Sequence, residues 1–152
     1  MKSSAHFYTG EIVQARESFF QSHKATDDTT KLLVKKTSGR LNRVKKGKLL
    51  DIGTGNGFVL TEVSKYLTNI QGKELFGIDQ SEQMVKKAKE LTHKNRQIKI
   101  VQGDNYSLPF EDNYFDVVTN KLSTNFSFAE VFRVLKKGGL FIFKETTNTI
   151  FS

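Results

Sequence analysis

The 152 residues contain no cysteine. That excludes a disulfide framework, a thiolate metal site and a cysteine nucleophile, and it fits a reducing compartment. Residues 1–20 lack the uninterrupted apolar core of a signal peptide. No run approaches the roughly 18–20 apolar residues of a membrane span. Internal repeats and low-complexity tracts are absent as well. These absences leave a soluble cytoplasmic protein with no metal site as the expectation, with a length that suits one domain.

Charge, by contrast, is plentiful and unevenly placed. The net charge is +8. Residues 1–48 carry 11 Lys/Arg against four Asp/Glu, whereas residues 49–152 carry 13 against 12. Lys31–Lys48 holds eight basic residues and no acidic one. Such a stretch attracts phosphates or acidic substrates, or else forms a solvated helix face and linker. It has no interleaved aromatic platform of the kind that stacks nucleobases.

The pattern divides the chain at about residue 47. Residues 1–46 read as a basic helical cap. Ile12, Ala15 and Phe19 recur at helical spacing after Thr9, a candidate N-cap. A second helix begins near Asp27, buries Leu32 and Leu33 and stops at Ser38-Gly39. Residues 47–152 read as an α/β core. Short apolar strands at Lys48–Ile52, Glu74–Ile78, Ile98–Val101, Phe115–Thr119 and Leu140–Phe143 alternate with amphipathic helices. One helix spans Phe58–Leu67. Another, Ser81–His93, is capped by Ser81 and buries Met84, Val85, Ala88 and Leu91. A third opens with the capping box Ser127-Phe-Ala-Glu130 and ends at Gly138-Gly139. Alternating strands and helices predict a doubly wound parallel sheet of about five strands in the order 3-2-1-4-5.

The segment Leu49-Leu-Asp-Ile-Gly-Thr-Gly-Asn-Gly57 places a turn between the first strand and a helix. Gly53, Gly55 and Gly57 allow positive φ and close approach of a ligand to the backbone, at the carboxyl edge where such sheets bind ligands. A dinucleotide fingerprint requires a small residue where Phe58 stands. Asp51 lies two residues before Gly53, where a carboxylate repels a pyrophosphate and favours an ammonium group. A zwitterionic ligand with a cationic centre suits the loop better than a dinucleotide. The alternative is a tight turn with no ligand.

Asp79 ends the second strand, roughly 20 residues beyond the loop, where an acid reads ribose hydroxyls in nucleoside-binding folds. Its two oxygens can accept from two vicinal hydroxyls. It also suits the helix N-terminus beside Ser81. After the third strand, Asp104 could accept from the exocyclic amine of adenine or close an Asx turn. Met84 could pack on the adenine face or fill the core.

Together these residues resemble the class I S-adenosylmethionine-dependent methyltransferases, especially the small-molecule branch that includes the ubiquinone-biosynthesis and arsenite methyltransferases. The matching pieces are LLDIGTGNG at 49–57, FGIDQSEQMVKKAKE at 76–90, VQGDNYSLPFEDNYFDVV at 101–118 and EVFRVLKKGGLFIF at 130–143. The resemblance implies S-adenosylmethionine as cofactor and S-adenosylhomocysteine as product. Asp51 would contact the cofactor's amino group, and Gly53, Thr54, Gly55 and Gly57 would line its methionine part. Asp79 would hold the ribose with Gln80 beside it, Asp104 and Asn105 would flank the adenine, and Asn120 would line the methyl-transfer pocket. In this family the turn at Lys136-Lys-Gly-Gly139 usually reads Lys-Pro-Gly-Gly.

The resemblance also implies seven strands, of which the last two form a hairpin after the fifth. The chain ends about nine residues after the expected fifth strand, so that hairpin is expected to be missing. The fifth strand is then an exposed apolar edge with Phe141 and Phe143 partly uncovered. The expectation is a fragment of a longer protein, or an assembly in which a second copy or a partner chain covers that edge.

The enzyme reading is direct in-line methyl transfer to a small-molecule acceptor, which needs orientation and desolvation more than a catalytic triad. No catalytic residue is assigned; an acceptor of high pKa needs a general base, for which His6, Tyr8 and Tyr106 are candidates. Two rivals stand beside it. One is a non-catalytic cofactor-binding subunit that needs a partner. The other is an RNA methyltransferase using residues 31–48, although Asn120-Lys-Leu-Ser does not resemble an Asn-Pro-Pro-Tyr signature.

Overall fold

The strand-and-helix rhythm from Lys48 onward folds as one sheet. In the computed structural model, which describes residues 28–121, 125–144 and 150–151, the sheet runs β3-β2-β1-β4-β5-β6. Its strands are β1 (Lys48–Ile52), β2 (Glu74–Asp79), β3 (Ile98–Gln102), β4 (Phe115–Lys121), β5 (Leu135–Lys144) and β6 (Ile150–Phe151). The first five are parallel in the expected order. The helices are α1 (Asp28–Asn42), α2 (Phe58–Ser64), α3 (Glu82–Thr92) and α4 (Phe128–Val134). The periodic stretch at 9–19 and the candidates His6 and Tyr8 lie outside the described residues. Among the described residues no helix is long and apolar enough to cross a membrane.

Strand residues alternate between two cores, as the period of a strand requires. Leu49, Leu75 and Val117 face α1, α2 and α3 with Leu33, Leu41, Leu60, Val63 and Ala88. Leu50, Ile78 and Val118 face α4 with Phe115, Val131 and Val134. A sheet covered on both faces explains the nearly unbroken apolar runs of its strands. On the second face Phe115, fully buried, meets Phe76, Phe110 and Tyr114 edge-to-face at centroid separations of 5.6, 5.0 and 5.0 Å.

Several expectations need correcting. Helix α1 does not stop at Ser38-Gly39 but runs on to Asn42. The Ser38 hydroxyl donates back to Val34 O at 2.8 Å, which satisfies it inside the helix. Leu41, with no exposed surface, rewards the extra turn. Leu33 is buried as expected, but Leu32 is 43% exposed. In α3, Val85 and Ala88 are buried whereas Met84 and Leu91 are 39% and 60% exposed. Thr92 takes the inward position instead, its hydroxyl donating to Ala88 O at 2.7 Å.

Helix α4 ends at Val134, before Gly138-Gly139. β5 starts at Leu135 and bulges, its register against β4 jumping from Phe115↔Leu135 to Val117↔Leu140. Gly138, at φ 77°, makes that bulge. Ser127 Oγ accepts from Glu130 N–H at 3.2 Å, but the Glu130 carboxylate accepts from Leu108 N–H at 2.8 Å rather than closing a reciprocal box.

The edge of β5 is also less bare than expected. A short antiparallel strand, β6, pairs with it at Phe143↔Phe151 and Lys144↔Ile150. Phe141 is only 7% exposed, because Phe126, Phe128 and Phe132 pack on it at centroid separations of 5.8, 6.0 and 6.4 Å.

Arg133 ties α4 to the loop after β3. Its guanidinium donates to Leu108 O and Phe110 O, each at 2.8 Å, and pairs with Asp112 and Glu130, also at 2.8 Å. The hydrogen bond from Arg133 holds the Glu130 carboxyl below its ordinary pKa. Removing this fork leaves two carbonyls without donors. Arg133→Ala is therefore expected to destabilise the fold by about 1–3 kcal/mol in urea unfolding, and Arg133→Lys to recover only part of the loss.

Candidate cofactor site

The carboxyl ends of β1, β2, β3 and β4 converge on one edge. Ile52 pairs with Ile78 and Asn120, and Asp79 pairs with Gln102. The loop 53–57 leaves this edge between β1 and α2. Gly53, Gly55 and Gly57 all have positive φ, at 68°, 57° and 84°, which L side chains adopt only with strain. A Cβ on Gly55 would meet nothing within 4 Å, so the loop borders open space there. Gly77, behind the loop, is the reverse case. A Cβ on it would lie 2.8 Å from Thr54 Cγ2 and 2.9 Å from Leu60 Cδ1.

Four of the loop's N–H groups and that of Phe58 are already engaged. Gly53 and Thr54 donate to Ile78 O at 2.9 and 3.0 Å, and Gly57 to Thr54 O at 2.9 Å. Gly55 donates to Asp79 Oδ2 at 2.9 Å, and Phe58 to Asn56 Oδ1 at 3.1 Å. A pyrophosphate is normally cradled by free N–H groups at this point of a doubly wound fold. Here four of the loop's donors are bonded within the chain and the Asp51 and Asp79 carboxylates lie beside them, which disfavours a dinucleotide.

Asp51 is 2% exposed and accepts from Thr119 Oγ1 at 2.8 Å. Burial pushes its carboxyl up to about 6. The Thr119 hydrogen bond, the nearby Thr54 hydroxyl and the Lys121 charge oppose that shift, and the Asp79 charge adds to it. Thr54 Oγ1, though near, makes no well-aligned hydrogen bond and is buried without a partner. A buried carboxylate held this high is short of positive charge. Lys121 contributes some, its ammonium resting over the Phe58 ring at 4.8 Å.

Asp79 bridges loop and helix, accepting from Gly55 N–H on Oδ2 and from Ser81 N–H on Oδ1 at 2.9 Å. Its place beside Ser81 fits the reading as a helix N-terminal acid, and each oxygen keeps a lone pair for a further donor. Gln80 is exposed. Met84, an exposed residue in the first turn of α3, donates its N–H to Ser81 Oγ at 3.2 Å. Asp104 closes the Asx turn, accepting from Tyr106 N–H at 2.8 Å, and Tyr106 is 48% exposed. Asn105 is 4% exposed and its Oδ1 has no protein partner. Asn120 is 1% exposed at the end of β4. The structure thus gathers Asp51, the glycine loop, Asp79, Asn105 and Asn120 at one edge. Thr119 was missed by sequence reading; its signal was the pairing of β4 with β1, which sequence alone places only in outline.

The Methyltransferase domain family matches residues 50–143. The chain belongs to that family. Within it, a demethylmenaquinone methyltransferase of Staphylococcus aureus is 40% identical over 111 residues, covering 68% of this chain and 45% of that protein. The chain thus spans about half the length of the curated relatives it matches. Among solved structures, the YcgJ protein of Bacillus subtilis superposes with a TM-score of 0.63 at 30% identity, covering 76% of this chain and 49% of that one. An Aquifex aeolicus SAM-dependent methyltransferase gives 0.64 at 24% identity, over 87% of this chain and 71% of that one, a likeness of fold.

Proposed function

We propose that this methyltransferase domain binds S-adenosylmethionine at the Asp51–Gly57 edge and serves methyl transfer to a small molecule. The observation that carries the reading is the buried Asp51 carboxylate, short of positive charge, beside a loop whose Gly53, Thr54, Gly55 and Gly57 N–H groups are already bonded within the chain. The fit is chemical. Asp51 lacks positive charge, which an ammonium group supplies. Gly55 opens on free space, and the orphaned Thr54 Oγ1 and Asn105 Oδ1 await a polar ligand.

When bound, the cofactor supplies a methyl group already activated on a sulfonium. The chain's own residues bind and orient. Asp51 would receive the amino group, Thr54 and the glycines the methionine part, and Asp79 the ribose hydroxyls with Gln80 alongside. Asn105 would meet the adenine between Asp104 and Met84. Asn120 would border the acceptor. These groups exclude water and fix direction, which is most of what a sulfonium donor requires. The acceptor named for the Staphylococcus aureus relative makes a quinone-type acceptor the first to test.

Calorimetry with S-adenosylhomocysteine checks the cofactor reading. In the free protein Asp51 loses its charge as pH falls through about 6. Binding of an ammonium requires the charged form, so affinity is expected to hold from pH 8 to 7 and then fall by up to roughly ten-fold per pH unit below 6. A pH-independent affinity would remove Asp51 from the role.

A further inference from the structure

The basic stretch that the cofactor reading leaves unexplained borders a cavity. Between α1 and the end of α2 lies a cleft of about 390 Å³ lined by Lys31, Val34, Lys35, Ser38, Glu62 and Tyr66. None of these residues belongs to the Asp51 edge. Val34 and Ser38 form a floor that is 5% exposed at each. Tyr66 stands 61% exposed at its wall. The sequence of residues 31–48 has no aromatic of its own; the fold brings one from the turn after α2, where Asn42 Nδ2 donates to Tyr66 O at 3.0 Å.

Among the described residues, the charges around the cleft that lack an ion-pair partner are of one sign. Glu62 is spent on Lys65 at 2.6 Å. Neither Lys31 nor Lys35 pairs with a carboxylate among the described residues, and neither do Arg43, Lys45 and Lys46 further along the same stretch. An aromatic wall, room for a planar ring and a run of cations without an ion-pair partner among the described residues are elements by which proteins hold unpaired nucleic-acid strands.

We infer that this cleft binds single-stranded nucleic acid, one base stacking on Tyr66 and the backbone phosphates following Lys31, Lys35, Arg43, Lys45 and Lys46. The inference does not rest on the cofactor reading, since the two sites share no residue. An anionic membrane would also meet the lysines but would not need Tyr66 or a cleft.

The test is fluorescence anisotropy of the full chain with a labelled single-stranded RNA of about ten nucleotides, compared with phosphatidylglycerol vesicles and a free mononucleotide. RNA is expected to bind at 50 mM salt and to weaken steeply by 200 mM, with a slope of about −0.7 per phosphate contacted. Tyr66→Ala is expected to weaken RNA binding by roughly five- to 100-fold with the salt slope unchanged. Lys31→Gln with Lys35→Gln should instead flatten the slope by about 1.4. Unchanged unfolding midpoints establish that each variant is folded. No RNA binding at low salt, vesicle binding as tight as RNA binding, or indifference to Tyr66→Ala would each overturn the proposal. Failure of S-adenosylhomocysteine to bind would leave it standing, because that result bears only on the Asp51 edge.

Discussion

Asp51→Asn is expected to make the ligand-free protein more stable while removing most of its cofactor affinity. The Asp51 carboxyl sits at about 6 in the folded chain against 3.8 for an unhindered group. Folding thus raises its pKa, so the folded state binds the extra proton between pH 4 and 6. Stability from this group is greatest at low pH and falls as pH rises through about 6. The full shift corresponds to about 3 kcal/mol at pH 8, an upper bound on what Asn recovers. Asparagine keeps an oxygen to accept from Thr119 and carries no charge. A gain of about 1–3 kcal/mol in urea unfolding at pH 8, shrinking to nothing near pH 4, is the expected result. Binding moves the other way. Loss of one partner from a buried charge pair costs about 2–5 kcal/mol, so S-adenosylhomocysteine affinity should drop by at least thirty-fold. A variant that loses both stability and affinity would mean that Asp51 is a structural group.

Gly55→Ala and Gly77→Ala should separate the ligand face of the loop from its packing face. At Gly55 a methyl meets no atom within 4 Å, but φ is 57°. The folding cost is the left-handed strain of about 1–2 kcal/mol, and the methyl projects into the space proposed for the cofactor. Binding should fall by well over ten-fold. At Gly77 the backbone is ordinary for a strand, but the methyl would lie 2.8 Å from Thr54 and 2.9 Å from Leu60. Both neighbours are buried, so they cannot yield without moving the loop. Overpacking there is expected to cost about 1–3 kcal/mol of stability, with binding weakened as Thr54 is displaced. Unfolding midpoints beside calorimetric affinities decide the pair. Undiminished binding by Gly55→Ala would contradict the assignment.

The difference between these glycines could not be read from their spacing. Gly53, Gly55 and Gly57 announced a tight, ligand-facing turn, and the structure gives all three positive φ. Gly77 carries no such local signal; its need for glycine comes from Thr54 and Leu60 lying against it. Local signals were reliable where one residue acts on its own neighbours, as at the Ser81 cap or the Asp104 turn. They failed where a distant element decided the matter. Gly39 did not end α1 because Leu41 found a core to fill, and Met84 and Leu91 stayed outside because α3 turned Thr92 inward.

The sequence by itself determined the alternation of strands and helices and the parallel sheet, and it pointed to the turn at Asp51–Gly57 as a candidate ligand edge. These follow from period, turn chemistry and chain direction, all local properties. Only the tertiary structure decided how those residues are used. It buried Asp51 against Thr119, bonded four of the loop's N–H groups within the chain, paired β6 with the edge of β5 and set Tyr66 beside the basic face of α1. Each of these depends on packing between segments far apart in the chain, and burial, which sets both pKa and hydrogen-bond need, exists only once that packing is complete.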